Sequence, residues 1–451
     1  MRGAIQDDGK RRPLRPIPYL RWWIGGLLFL STVINFIDRQ TLSALAPFLK
    51  EDYKWTNEDY ALIVIAFRIA YAIGQTTLGR FVDHIGTRAG LTITVTWYSI
   101  IAMLTSVVSF FTSSIGALRG FIVFRFLLGL GESPNWPAAT KAVSEWFPKK
   151  ERGWAVALFD SGSSIGAAIA PAIVVGLYMG MGRRWWPAFI ITGTLGFFWL
   201  ILWRILYHPP EMHPRISEAE KQMIIADKRE SAGEEAAAGH TKAKWIDLIK
   251  LPQTWGVIAA RAFTDPVWFF ITDWFMLFLV QEKHFDPKNT LVAIWIPFIA
   301  SDIGNFAGGG FSSWLIQKGW SVEKARKAVI VFGAIGLTIL IPVIYTSNLF
   351  AIAGLFGIAT FSFSCFGTMA LVLPSDMFKS NSVASVSGMS GTAGNLVTIV
   401  TTYLIGVITT RYSFKPVLIG GSIIPFIGAI LVLWLIRNPR TEREKEILQR
   451  I

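Results

Sequence analysis

"WWIGGLLFLSTVINFIDRQTLSALAPFL", residues 22–49, runs apolar for the thickness of a bilayer core yet keeps Asp38 and Arg39 side by side near its middle. A stretch of this length spans about 30 Å of hydrocarbon as a helix. An ionisable group at that depth costs about 2.5–3.5 kcal/mol even on lenient insertion scales. A chain that keeps two therefore uses them. Adjacent residues on a helix point about 100° apart, so Asp38 and Arg39 read as two separate tools rather than as an ion pair. Arg39 offers a planar fork of donors matched to a carboxylate, and Asp38 offers a place for a proton.

The same pattern extends outward along the chain. Of 451 residues, 52% are hydrophobic and only 16% charged, with a mean hydropathy of +0.46, too little polar surface for a soluble protein of this size. Twelve apolar spans can be placed, at 22–49, 58–81, 89–112, 115–146, 152–180, 185–208, 254–282, 289–316, 326–346, 348–378, 381–410 and 414–437. The spans predict an all-α membrane protein of two pseudo-symmetric six-helix bundles, 22–208 and 254–437, joined by a linker over 209–253. Tails 1–21 and 438–451 flank them. Lysines and arginines gather in alternate connections, which puts both termini and the linker in the cytoplasm. The net charge of +13 is spread over these loops and forms no nucleic-acid patch. In the linker, Ser217 and Glu220 have the spacing of a capping box ahead of a short surface helix.

Several classes of function lose support here. Cys365 is the lone cysteine, so no disulfide within the chain can form. His84, His208, His213, His240 and His284 fall at span edges or in loops without metal-ligand spacing. No nucleotide-binding fingerprint is present, and two-fold repetition supplies no polar ring for a channel. Neither an enzyme nor a metal or cofactor site is expected.

The fourth span holds "RFLLGLGESPNWPAA", residues 125–139, in which Arg125 and Glu132 lie nearly two turns apart on one face. That spacing reads as an acid tuned by a guanidinium for proton exchange, or as a static ion pair tying this span to a neighbour. Pro134 and Pro137 should loosen the backbone just beyond it. After the second span, "GRFVDHIGTR" sets Gly79, Asp83, Gly86 and Arg88 in a short loop, and "GGFSSWLIQKGW", 309–320, echoes it without the acid. The pattern G-x-x-x-D-x-x-G-x-R resembles the loop signature of the major facilitator superfamily.

Further stretches narrow the resemblance. "INFIDRQTLSALAPFL", "FLLGLGESPNWPAATKAVSEWFPKKERG", "SSIGAAIAP", "LYHPPEMHPRISEAE", "WIPFIASDIGNFAGG" and "PSDMFKSNSVASVSGMSGTAG" look like the anion:cation symporter family, and most like its hexuronate transporters. The resemblance implies a monomeric symporter of the bacterial inner membrane that imports sugar acids with protons. Another organic anion, or a sensor that does not transport, is the alternative. It implies that Asp38 and Glu132 carry protons, that Arg125 tunes Glu132, and that Arg39 binds the substrate carboxylate. Tyr71 and Asn395 match positions that bond substrate hydroxyls, and Ser163 and Trp268 join the substrate-facing set.

Four positions depart from the family pattern: Phe36 stands for a tyrosine, Arg68 for a glutamine, Asp160 for an asparagine, and Asp273 for an apolar or aromatic residue. Two amide-to-charge changes of opposite sign predict that Arg68 pairs with Asp160. The other reading makes Arg68 a second anion contact for a diacid or a phosphorylated substrate. In the seventh span, Arg261 and Asp265 stand at i,i+4 and read as an ion pair, and Asp302 in the eighth is read the same way. Of Trp136, Trp268 and Trp295, one is expected to touch substrate. Gly388, Gly391 and Gly394 mark a close helix contact.

Overall fold

The computed structural model describes residues 15–237, 245–378 and 380–437, and every regular element within them is a helix. In chain order these are α1 (Leu20–Tyr53), α2 (Asn57–Ile85), α3 (Thr87–Leu104), α4 (Ser114–Glu132), α5 (Asn135–Trp146), α6 (Lys149–Gly180), α7 (Trp186–Leu206), α8 (Glu218–Ala237) and α9 (Trp245–Ile249). There follow α10 (Pro252–Ala262), α11 (Asp265–Leu277), α12 (Pro287–Gln317), α13 (Val322–Gly336), α14 (Leu340–Val343), α15 (Leu349–Met377), α16 (Ser380–Arg411) and α17 (Lys415–Leu435).

Among the described residues, ten stretches are long and apolar enough to cross a membrane; α4 with α5, α10 with α11, and α13 with α14 each make one of them. Two further helices, α2 with 29 residues and α12 with 31, are long enough to span the core as well. The twelve expected spans are therefore all present as helical paths. Local chemistry sets several starts. Thr56 and Asp59 form a reciprocal capping box on α2, the Asp59 amide donating to Thr56 Oγ1 at 3.1 Å and the Thr56 amide to Asp59 Oδ2 at 2.9 Å. Ser113, Ser321 and Asn348 cap α4, α13 and α15 one way only, each side chain accepting from a first-turn amide. Pro134 falls in the break between α4 and α5, two residues after Glu132, as its missing N–H dictates.

The expected surface helix of the linker is α8, but its capping box is only half formed. The Glu220 amide donates to Ser217 Oγ at 3.3 Å, while the Glu220 carboxylate turns away to the start of α1. There it accepts from the amides of Leu20 (3.1 Å) and Arg21 (3.2 Å) and from Arg21 Nη1 (2.7 Å). Orphan amides at a helix start and a buried cation outbid the local cap. Arg21 also binds Glu151 of α6 at 2.7 Å, so linker, first span and α6 are tied together at one point.

The first six spans meet the last six mainly through α2 on α16, α6 on α12 and α1 on α11. At the end of the bundle away from the start of α1 and the end of α17 the contact is sealed. Asn57 Nδ2 donates to Thr409 Oγ1 at 2.9 Å, the Glu58 amide donates to Thr410 Oγ1 at 3.2 Å, and Lys50 donates to Asn57 Oδ1. Gly406 makes the approach possible: a Cβ there would lie 2.7 Å from that of Ala61. Gly391 and Gly394 do similar work on the other side of α16. Added Cβ atoms would stand 3.0 Å from Arg261 Nη1 and 2.4 Å from Asp265 Oδ2, so the glycine face accommodates the expected Arg261–Asp265 pair, which closes at 2.9 Å. Gly388 faces open space.

Candidate functional site

A central cavity of about 50 Å³ lies where α1, α2 and α4 face α11. Its charged lining is Arg39, Arg68, Arg125 and Asp273, with Phe36, Phe67 and Trp268 among the aromatics.

Arg39 is the most elaborately held group. Its Nε and Nη2 both donate to a single oxygen of Glu132, Oε2, at 3.1 and 2.9 Å, and Nη2 lies 3.4 Å from Asn35 Oδ1. Its guanidinium carbon lies 4.6 Å from the Phe36 ring centroid, 4.9 Å from Phe67 and 5.0 Å from Tyr71. Three rings thus orient the cation without consuming its donors. Glu132 is fully buried, and its second oxygen, Oε1, has no hydrogen-bond partner. The sequence sets Arg125 close enough to tune Glu132, and the structure puts no hydrogen bond between the two. Arg125 instead donates through Nη2 to the Arg39 carbonyl at 2.9 Å, because α1 passes between the two. Arg125 therefore braces the backbone beneath Arg39. Gly129 lets α4 pack closely on α2, since a Cβ there would lie 2.4 Å from the Phe67 carbonyl oxygen.

Asp38 is 2% exposed and points away from Arg39, as adjacency on one helix requires. Neither of its oxygens has a hydrogen-bond partner, and the Tyr98 hydroxyl nearby is also unpartnered.

The expected Arg68–Asp160 pair is not formed. Arg68 bonds Asp273 of α11, and its guanidinium lies 3.8 Å from the Phe269 ring centroid. The reason is which faces the helices show. Arg68 rides on α2, which packs on α4 and α16, whereas Asp160 sits on α6, which packs on α1 and α12. Asp160 has Asp302 of α12 as its charged neighbour, and Asp302 accepts a hydrogen bond from Ser164 at 2.7 Å in place of the expected ion pair. Tyr60 makes a second crossing, its hydroxyl donating to the Asp273 carbonyl at 2.8 Å.

The remaining candidates divide. Trp268 lines the cavity and stacks on Phe363 at 5.7 Å, while Trp136 and Trp295 are exposed. Tyr71 stacks on Phe67 at 5.7 Å. Ser163 is half-buried on α6, and Asn395 on α16 donates to the Gly391 carbonyl at 3.1 Å; neither lines the cavity. In the loop after α2, Gly86 has φ +85°, the conformation glycine is needed for, and Arg88 Nη2 donates to the Arg204 carbonyl at 2.6 Å. Gly79, Asp83 and His240 lie outside the residues whose surroundings are described. Among the described residues no group of His, Cys, Asp or Glu is placed to hold a metal ion.

A family model described as Major Facilitator Superfamily matches residues 28–322 and 311–450. The chain belongs to this superfamily. Over 430 residues it is 30% identical to the "Hexuronate transporter" of Escherichia coli (strain K12), covering 94% of this chain and 96% of that protein. It is 31% identical to the "Probable galactarate/D-glucarate transporter GarP" of the same organism, covering 89% and 91%. Among solved structures, the inward open xylose transporter XylE from E. coli superposes with a TM-score of 0.69 at 15% identity, covering 95% and 99%, which supports the fold.

Within this facilitator fold, two features of the site escape spacing arguments. The Phe36–Phe67–Tyr71 cage needs α1 and α2 in register, which no local pattern encodes. The role of Asp273 was signalled only by a charge on an apolar span, with nothing to say whom it faces.

Proposed function

We propose that this chain is a proton-coupled symporter that imports sugar acids, hexuronates among them, by alternating access. The observation that carries the reading is the half-used fork of Arg39. Two donors converge on one Glu132 oxygen while the other oxygen stays unpartnered. A substrate carboxylate presenting both oxygens would make a better bidentate contact than Glu132 does. Displaced from Arg39 in a fully buried place, Glu132 would take a proton, because an unpaired charge there is costly. Anion and proton binding are thereby coupled through one arginine. The relatives named for hexuronates and for galactarate support the choice of substrate class.

On this reading Asp38 is a second proton site, and Arg125 fixes Arg39 and tunes Glu132 through it. Tyr71 and Trp268 meet the sugar, with Arg68, Asp160, Ser163 and Asn395 reaching it as the halves move. The bundles 22–208 and 254–437 rock about the linker 209–253, gated by the loop of Gly79, Asp83, Gly86 and Arg88. The protein sits as a monomer in the bacterial inner membrane with its termini in the cytoplasm, and the Asn57–Thr409 seal then faces outward.

The test is uptake of radiolabelled galacturonate into proteoliposomes under an imposed pH gradient, with and without a protonophore. Wild type accumulates substrate and the protonophore abolishes accumulation. Glu132→Gln binds substrate but no longer accumulates it. Accumulation by that variant equal to wild type would make Glu132 structural and refute the coupling.

A further inference from the structure

Arg68 of α2, in the same cavity, repeats in part the arrangement seen at Arg39 of α1. Arg39 lies against three aromatic rings and Arg68 against one, each bonds a carboxylate, and each opens onto the same cavity. The carboxylate on Arg68 belongs to Asp273, which comes from the other six spans and itself lines the cavity. The lining is otherwise one-sided, with three guanidiniums, Arg39, Arg68 and Arg125, to the single carboxylate of Asp273. Donors are also left over. Arg68 is 7% exposed and Arg125 4% exposed, and the Nε of each is buried without a hydrogen-bond partner. With Glu132 already on Arg39 and Asp273 on Arg68, displacing both carboxylates would free guanidinium donors for more than one substrate carboxylate.

We propose that Asp273 is a displaceable stand-in for a second substrate carboxylate, so that this transporter prefers sugar diacids, which carry a carboxylate at both ends, to hexuronates. One end replaces Glu132 on Arg39 and the other replaces Asp273 on Arg68. This rests on reading the cavity as a sugar-acid site. Phe269 keeps the Arg68 guanidinium in place during the exchange, and Asp273 retains its contact with the Thr272 hydroxyl at 3.3 Å. Because Arg68 and Asp273 lie on different halves, the exchange also removes a cross-half bond, and a diacid loosens the two halves where a monoacid leaves them joined.

The probes are galactarate, an open chain with a carboxylate at both ends, and galacturonate, which has the same six carbons but one carboxylate and is mainly a ring in water. Galactonate is the open-chain monoacid control. Calorimetry on the purified full-length protein should give galactarate the tighter binding by about ten- to hundredfold, the value of one charge-assisted bidentate contact. Arg68→Gln should erase that preference, costing galactarate far more than galacturonate. Asp273→Asn removes the internal competitor and should tighten galactarate further. A static clamp between the halves predicts the opposite, with Asp273→Asn weakening both acids alike or neither. If Arg68→Gln does not fold, Arg68→Gln combined with Asp273→Asn asks the same question with a neutral amide pair. Equal wild-type affinities, or equal losses for both acids in Arg68→Gln, would overturn the proposal while leaving sugar-acid transport standing. If neither acid binds, the sugar-acid reading falls and this one with it.

Discussion

Replacing Arg39 by lysine keeps the positive charge and removes the fork, which isolates geometry from electrostatics. In the structure Arg39 directs two N–H groups at one carboxylate oxygen, at 3.1 and 2.9 Å, and offers its plane to three rings within 5.0 Å. A hydrogen bond to a charged group contributes about 1.5–3 kcal/mol. Lysine, a point charge, keeps one such contact and loses the second, a cost near the low end of that range, about 1.5 kcal/mol. Stacking of a flat guanidinium on the rings adds about 0.5 kcal/mol that an ammonium recovers only in part. The sum, about 2 kcal/mol, is roughly a thirtyfold rise in Kd at 1.4 kcal/mol per decade. Calorimetric titration of Arg39→Lys with galacturonate measures this directly, with the melting temperature reporting that the protein remains folded. A folded variant whose Kd stays within a factor of about three of wild type would show that Arg39 does not hold the substrate carboxylate.

Other outcomes follow from the same geometry. A double-mutant cycle of Arg68→Gln with Asp273→Asn on thermal stability should show a coupling of about 1–3 kcal/mol, whereas Arg68→Gln with Asp160→Asn should be additive within about 0.5 kcal/mol; the reverse pattern would restore the pairing read from sequence. Gly406→Leu inserts atoms where a Cβ alone would already lie 2.7 Å from Ala61 and 2.9 Å from the Asn57 carbonyl oxygen, so uptake should collapse while calorimetric affinity persists. Normal uptake by that variant would mean the seal is not needed in the cycle. Glu220→Gln strips the charge that binds Arg21 and two amides at the start of α1, and should lower stability by about 1.5–3 kcal/mol, read by melting of the purified protein. An unchanged melting curve would show that Glu151 alone suffices to hold Arg21.

Much of the architecture is legible in one dimension because a bilayer imposes it. A helix must cross about 30 Å of hydrocarbon without exposing its backbone, so ten spans among the described residues declare themselves by length and apolarity, and α2 and α12 by length. The break after Glu132 is equally local, since Pro134 lacks the N–H that would continue the helix. The chemistry-bearing residues stand out for the same reason: Asp38, Arg39, Arg68, Arg125, Glu132 and Asp273 are charges in segments that tolerate few. Their partners are another matter. Helical spacing tells which residues share a face but not which helix that face will meet. Arg125 and Glu132 share a face, yet α1 comes between them and Glu132 goes to Arg39. Arg68 and Asp160 both belong to the first six spans, yet α2 and α6 turn to different neighbours, and Arg68 finds Asp273 some two hundred residues on. Glu220 carries the right spacing for a local cap and is drawn instead to the open amides of α1. The sequence alone determined which residues must be buried and charged, because transfer into hydrocarbon is a property of each segment by itself. Only the tertiary structure decided which charges face each other, because an ion pair forms over a few ångströms and depends on the crossing of helices that are distant in the chain.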